Sequence, residues 1–438
     1  MTSPAELTGL FKEAYGDSIE NLIPEAAKLT KLIPFVQRDK ETGNKYHQPV
    51  IVAAEQGVTY AAADAGAFAL EDAVSMQMQD AQVQGNQMLL RSSLAYDAAA
   101  RASNSKKAFV KATELLVENM LESITKRAEI SMLHGQVGIG DIAIGGFDET
   151  SGGATTASFV VTAASWATGI WCGIEGAKLV FYSDTSDTIS AGTNLNANAD
   201  SNVNLIVTAV NTDTRTVSVS GSAAAIEDIN DVSVTKALTV YFKGTVTGTG
   251  TSFAFAEMAG LRKIISNTGT LFNINAATWG LWAGNTVTTS GQMTFSKLLS
   301  AVGKAVQRGL NEKVVVYCNP DTWANLASDL AALRRFDGSY KSKKSENGSE
   351  SICYYGQNGE IEIVSYNLVK AGEVFIFPPK RVKRIGAQEL SFKTPGREGE
   401  IFLQLPSSAG FEMRVYGDFC AFVETPSRCV YVSGFTNS

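Results

Sequence analysis

The residues able to do chemistry in this chain are few and scattered. There are two histidines, His47 and His134, about ninety positions apart and in different predicted elements. That spacing excludes a His-Glu-x-x-His zinc site and any two-histidine centre on one helix. His134 stands beside Gly135 at a predicted helix end, where a histidine has a structural reason to be. The five cysteines (Cys172, Cys318, Cys353, Cys420, Cys429) never fall in a C-x-x-C pair and read as reduced, mostly buried apolar side chains. Glycines 135, 138, 140, 145 and 146 match neither phosphate-loop spacing and read as a flexible connector. The Gly-Lys of AVGKAVQRG lies inside a helical pattern and lacks the following Ser or Thr. NLNANADSNVN (194–204) alternates oxygen ligands but has no closing glutamate, so a polar loop is the better reading than a calcium site. Asn-Gly-Ser at 347–349 is a glycosylation acceptor in form alone.

Charge gives two further candidates. Arg334, Arg335, Lys341, Lys343 and Lys344 form the strongest basic cluster, with Lys380, Arg381, Lys383 and Arg384 second. Neither is interleaved with stacking aromatics, so each reads first as a solvated face, then as a subunit contact, and last as a contact to nucleic-acid backbone. Glu114, Glu118 and Glu122 make a like-charged row at i,i+4, either solvated or facing a basic neighbour.

The 438 residues carry 37 Lys and Arg against 44 Asp and Glu, a net charge of −7. A strongly basic nucleic-acid-coating protein is thereby disfavoured. With 45% hydrophobic and 18% charged residues the composition is that of a folded chain, long enough for two or three domains. The N-terminus is acidic and has no apolar signal segment, and no apolar run is long enough to span a bilayer. The expectation is a protein made and kept in a cytoplasm, with no membrane partner and no cofactor.

The elements that would position these residues read as follows. Ser3-Pro4-Ala5-Glu6 starts a short amphipathic helix, packed on its own domain or on a partner. Residues 45–60 and 81–98 look extended and flank a small, acidic stretch, which predicts a long two-stranded excursion with too few large apolar residues to bury itself. Residues 105–135 predict one uninterrupted helix of roughly 45 Å at about 1.5 Å per residue. Its stripe is Phe109, Ala112, Leu116, Met120 and Ile124, and Gly135 stops it. From 155 to 255 helical periodicity vanishes, and short β-rich runs predict an inserted all-β module of sandwich or barrel type. Trp166 and Trp171 read as its core rather than as a ligand platform. After residue 291 come a helix, the strand KVVVYCN, the helix PDTWANLASDLAALRRF, a charged loop and closing strands.

This order of parts resembles the major capsid protein of tailed bacteriophages. VVVYCNPDTWANLASDLAALRRFDG (314–338) looks like that family's axial strand and helix. GLRKIISNTGTLFNI (260–274) looks like the segment between its peripheral strands and axial domain. RVYGDFCAFVETPSRCVYVSGF (414–435) looks like its closing strands. The resemblance implies an α+β fold of N-arm, extended β-hairpin loop, peripheral domain with a long spine helix, and axial domain, plus the inserted β-rich domain. The implied layout is an N-arm at 1–44, extended loop at 45–104, peripheral domain at 105–154, insertion at 155–255, peripheral domain again at 256–294, axial domain at 295–380, and peripheral closing strands at 381–438.

The implied function is structural and non-enzymatic: self-assembly into hexamers and pentamers forming an icosahedral virion shell around double-stranded DNA, built in the host cytoplasm. The implied partners are further copies of the chain, a separate scaffolding protein, a portal protein and packaged DNA, with a decoration protein as a further candidate. Family members that cross-link covalently use a lysine on the extended loop, whereas residues 46–105 here contain none. The alternatives are an encapsulin-like compartment with the same fold, or an enzyme or carbohydrate-binding protein using the β module. The residues placed at subunit contacts are the Glu114–Glu118–Glu122 row and the Arg334–Lys344 cluster.

Overall fold

A computed structural model describes residues 27–37, 45–95, 106–183, 193–194, 205–247, 254–333, 351–356, 359–392, 403–404 and 410–437. The helix expected at residues 3–14, the polar loop after Asn194 and the whole Arg334–Lys344 cluster lie outside the described residues.

The long helix Lys106–His134 follows from its sequence, with Leu116, Met120, Ile124 and Ala128 at four-residue steps and no proline or glycine inside. Met120 and Ile124 pack on Met413 and Val415 of the strand Gly410–Val423. The helix stops differently from expectation. The left-handed residue is Gln136, with φ of 67°. Gly135 is needed for its size: a Cβ there would sit 2.2 Å from the Met258 carbonyl. Gly260 sits against it, its amide donating to the Gly135 carbonyl at 3.0 Å.

The strand Gly410–Val423 organises the first sheet. Val382–Ser391, Leu403–Gln404 and Asn86–Ala95 all pair with it, and Phe35–Gln37 adds in parallel to Val382–Ser391. Only Tyr46–Ala53 and Gln77–Val83 form the arm's hairpin. The second extended run, 86–95, is therefore not arm but a sheet strand, because alternate residues such as Met88 and Leu90 pack inward.

The second sheet has the order Asn285–Thr288, Val430–Ser433, Glu373–Phe377, Val314–Cys318, Gly359–Ser365, Ser351–Gly356. Val314–Cys318 is buried on both faces, which explains its unbroken apolar run. Val314, Val316 and Cys318 meet the helices Phe295–Gln307 and Pro320–Leu333, while Val315 and Tyr317 join the main core. Thr294 caps the first helix and Asn319 the second, accepting from the Lys297 and Asp321 amides. The expected pair of closing strands is split. Gly410–Val423 stays in the first sheet, whereas Val430–Ser433 crosses into the second.

The insertion is a closed barrel of six antiparallel strands: Gly140–Glu149, Thr156–Val161, Thr216–Ser220, Leu205–Asn211, Lys178–Ser183 and Leu238–Phe242, which closes on the first. The glycine-rich run expected as a connector is thus a barrel strand. Its glycines have packing reasons: a Cβ at Gly140 would meet the Trp171 ring at 2.7 Å, and the register shifts between Ile142 and Phe147 around Gly145 and Gly146. The module also holds a helix that strand periodicity concealed, Ala223–Ser233, capped by Ser222. Phe147, Phe159, Phe181 and Trp171 fill the interior edge to face.

Candidate assembly interface

The arm is where the chain leaves itself unfinished. Of the fourteen exposed large apolar side chains among the described residues, eight lie between Ile51 and Met78. Tyr60 is 89% exposed and Leu70 80%. Exposure of this density on one excursion marks a docking segment. The arm holds five acids (Glu55, Asp64, Glu71, Asp72, Asp80) and no lysine or arginine between Tyr46 and Leu90.

The arm's base is clamped. The two-residue turn Phe272–Asn273 has both residues at positive φ, 52° and 67°, as a type I′ hairpin turn requires, though glycine is the usual occupant. The Phe272 carbonyl accepts from the Gln82 amide at 3.0 Å, and its ring meets Phe422 edge to face at 5.4 Å. The ring contact accounts for a bulky side chain in a strained conformation. His47 and Asp80 pair across the hairpin at 2.6 Å.

The acidic row divides. Glu118 is exposed, and Glu122 is half-buried in an open cleft of about 240 Å³ between helix and barrel, shared with Lys126, Arg127 and Glu175. The side chain of Glu114 lies outside the described residues. Glu122 thus faces cations of its own chain rather than the solvent-exposed side of the helix. Lys126 donates to the Cys172 carbonyl, and burial lowers its pKa. The Arg127 guanidinium stacks on Phe242 at 3.1 Å, and burial brings it down to about 10. These contacts seat the barrel on the helix.

The second basic cluster is occupied by intramolecular partners. Arg381 forks onto Glu312 at 2.9 and 2.7 Å, Arg428 joins the same carboxylate at 2.8 Å, and Lys383 pairs with Glu424. The hydrogen bond from Arg381 is the main reason the Glu312 pKa is lowered. Arg384 is buried, donating to the Ile33 and Thr30 carbonyls. Only Lys380 of the four is exposed. This cluster joins the two sheets through ion pairs within the chain.

Two buried ionisable joints escaped the sequence reading. Glu129 accepts from the Leu29 amide at 2.9 Å, the Thr30 amide at 2.6 Å, the Thr30 hydroxyl and the Tyr366 hydroxyl at 2.5 Å. Its signal was an acid set between Ala128 and Ile130 inside the apolar stripe. His134 donates through Nε2 to the Leu368 carbonyl at 2.9 Å, while Nδ1 stands 3.5 Å from Glu373. Burial drives its pKa down to about 3, so it is neutral. Burial alone would raise the Glu373 pKa, but Arg262 at 2.7 Å and Lys370 outweigh it and keep the carboxylate charged.

Among the described residues no cluster of three His, Cys, Asp or Glu side chains could hold a metal ion. Trp166 and Trp171 are buried and stacked on each other at 5.9 Å, as core residues are.

Known proteins bear on this arrangement. The family described as SU10 major capsid protein matches residues 235–399. No curated protein matches the chain. Among solved structures, a chain of the cyanophage A-1(L) capsid asymmetric unit is 11% identical over 99% of both chains, with a TM-score of 0.51. The capsid of a native GTA particle is 9% identical, over 100% of this chain and 99% of that one, at 0.48. The holo-SrpI encapsulin complex of Synechococcus elongatus is 8% identical, over 100% and 97%, at 0.41.

Proposed function

We propose that this chain, which has the tailed-phage major capsid fold with an inserted β-barrel, is the major capsid protein of a tailed bacteriophage. It builds a shell of hexamers and pentamers around packaged double-stranded DNA. The observation that carries the reading is the arm: an apolar and acidic hairpin that its own chain leaves uncovered, on a fold shared with a phage shell protein. Such a segment gains its burial only from another subunit, and head-to-tail contacts of this kind close into rings. The absence of lysine from 46–105 gives a shell held by packing and ion pairs rather than by cross-links from the arm. A separate scaffolding protein, a portal and host-cytoplasm assembly belong to the same reading.

Deleting residues 61–80 tests it. The deletion removes the exposed residues 61–78 and the half-buried Gln79 and Asp80 of the hairpin, and no core residue, so the protomer keeps its thermal melt while shells disappear from sedimentation and electron microscopy. A wild-type chain that stays a protomer with its scaffolding partner present overturns the shell reading. A deletion that unfolds the protomer overturns the role given to the arm.

A further inference from the structure

The first sheet buries one face under the long helix and, around Leu89–Arg91 and Arg414–Tyr416, leaves the other face open, whereas Phe419–Val423 are buried on both faces. On Asn86–Ala95, Leu90 turns inward to the helix. Leu89 and Arg91 turn outward, 56% and 63% exposed. Across the ladder Arg91 is the direct partner of Arg414, and Leu89 is the partner of Tyr416. Like charges placed directly opposite each other weaken a sheet. One carboxylate answers them in part. Glu412, with its side chain 3% exposed, contacts the Arg414 guanidinium and lies 3.7 Å from Arg91 Nε, but its Oε2 makes no hydrogen bond. One buried acid beneath two exposed guanidinium forks leaves local positive charge and free donors pointing outward at Arg91 and Arg414, beside a Leu89–Tyr416 shelf whose far side carries Asp418. Arginine forks of this kind are matched by carboxylates.

We propose that this outer face is the receptor for the arm of a second copy of the chain, with Arg91 and Arg414 taking the carboxylates of Glu71 and Asp72, and Leu89 and Tyr416 taking the apolar side chain of Leu70. The inference rests on the shell reading above and names the contact within it. The complementarity is on both surfaces: the arm has five acids and no lysine or arginine, and Leu70, 80% exposed, immediately precedes Glu71 and Asp72. The chain's own arm does not occupy the face, since Leu70, Leu89 and Arg91 are all exposed.

The test is a charge exchange in the full chain with its scaffolding partner. R91E/R414E, made and compared in a Glu412→Gln background that removes the buried acid beneath them, is expected to lower the yield of shells at least about tenfold, since it sets like charges against each other, with a protomer that stays folded by circular dichroism. Adding E71R/D72R to it is expected to restore most of the yield. Raising salt from about 0.1 M to about 1 M, which shortens the screening length from about 10 Å to about 3 Å, should reduce wild-type assembly and narrow the difference. If Glu412→Gln chains with and without R91E/R414E assemble equally, the receptor is overturned while the shell reading stands. Shells that form normally but lose packaged DNA assign the arginines to phosphate and overturn the proposal. Failure of the fourfold variant to recover, with E71R/D72R alone assembling normally, also overturns it. A wild type that never assembles removes the shell reading itself.

Discussion

The Tyr366 hydroxyl donates to the Glu129 carboxylate at 2.5 Å, joining the end of the second sheet's strand Gly359–Ser365 to the long helix across 237 positions of chain. The same carboxylate caps the short helix Leu29–Leu32 through two backbone amides. One side chain therefore holds three parts of the molecule.

Glu129→Ala is expected to cost the protomer at least about 3 kcal/mol, because it strands several buried donors at once, whereas Tyr366→Phe removes one donor and is expected to cost about 1–2 kcal/mol. Urea unfolding of the unassembled protomer measures both. Equal losses in the two variants would show that the amides at Leu29 and Thr30 find other acceptors.

His134 predicts an acid sensitivity with a definite sign. Its folded pKa of about 3 lies below the ordinary 6.5. Between those values the unfolded chain binds a proton that the folded chain refuses, so this contribution is present above about 6.5 and lost as pH falls. By pH 5 the loss amounts to about 2 kcal/mol. His134→Gln keeps a donor for the Leu368 carbonyl and should flatten stability against pH by that amount. Glu257, pushed up to about 7 by burial, acts in the opposite sense, favouring the folded state below about 4.5 and losing that effect as pH rises to about 7. The comparison of variant with wild type cancels it.

Arg384 anchors the segment 28–37, donating to Ile33 and Thr30 while its strand pairs with Phe35–Gln37. Arg384→Ala removes two buried hydrogen bonds at a cost of about 2 kcal/mol. Trypsin cleavage after Lys28 and Lys31 should then accelerate roughly 30-fold. Unchanged digestion would mean that the segment is held by Glu129 alone.

What was legible in the sequence was what local pattern dictates. The long helix shows an unbroken stripe, the strand VVVYC shows burial on both faces, and Asn319-Pro320 announces the capped helix after it. What was hidden depended on partners far away in the chain. The run 140–149 looks like a connector because its glycines serve Trp171 and a bulge, neither visible locally. The helix Ala223–Ser233 is small-residued and short, lost among strands. Glu129 was overshadowed by the more regular Glu114–Glu118–Glu122 row. The acidic character of the arm was readable, yet the Arg91–Arg414 pairing requires a register that joins residues more than three hundred positions apart.

The strand Val430–Ser433 fills a slot between Asn285–Thr288 and Glu373–Phe377. Without residues 430–433 that slot is empty. A chain lacking them carries an interrupted sheet with two raw edges. Val430–Ser433 is therefore a keystone: its neighbours Asn285–Thr288 and Glu373–Phe377 are joined only through it.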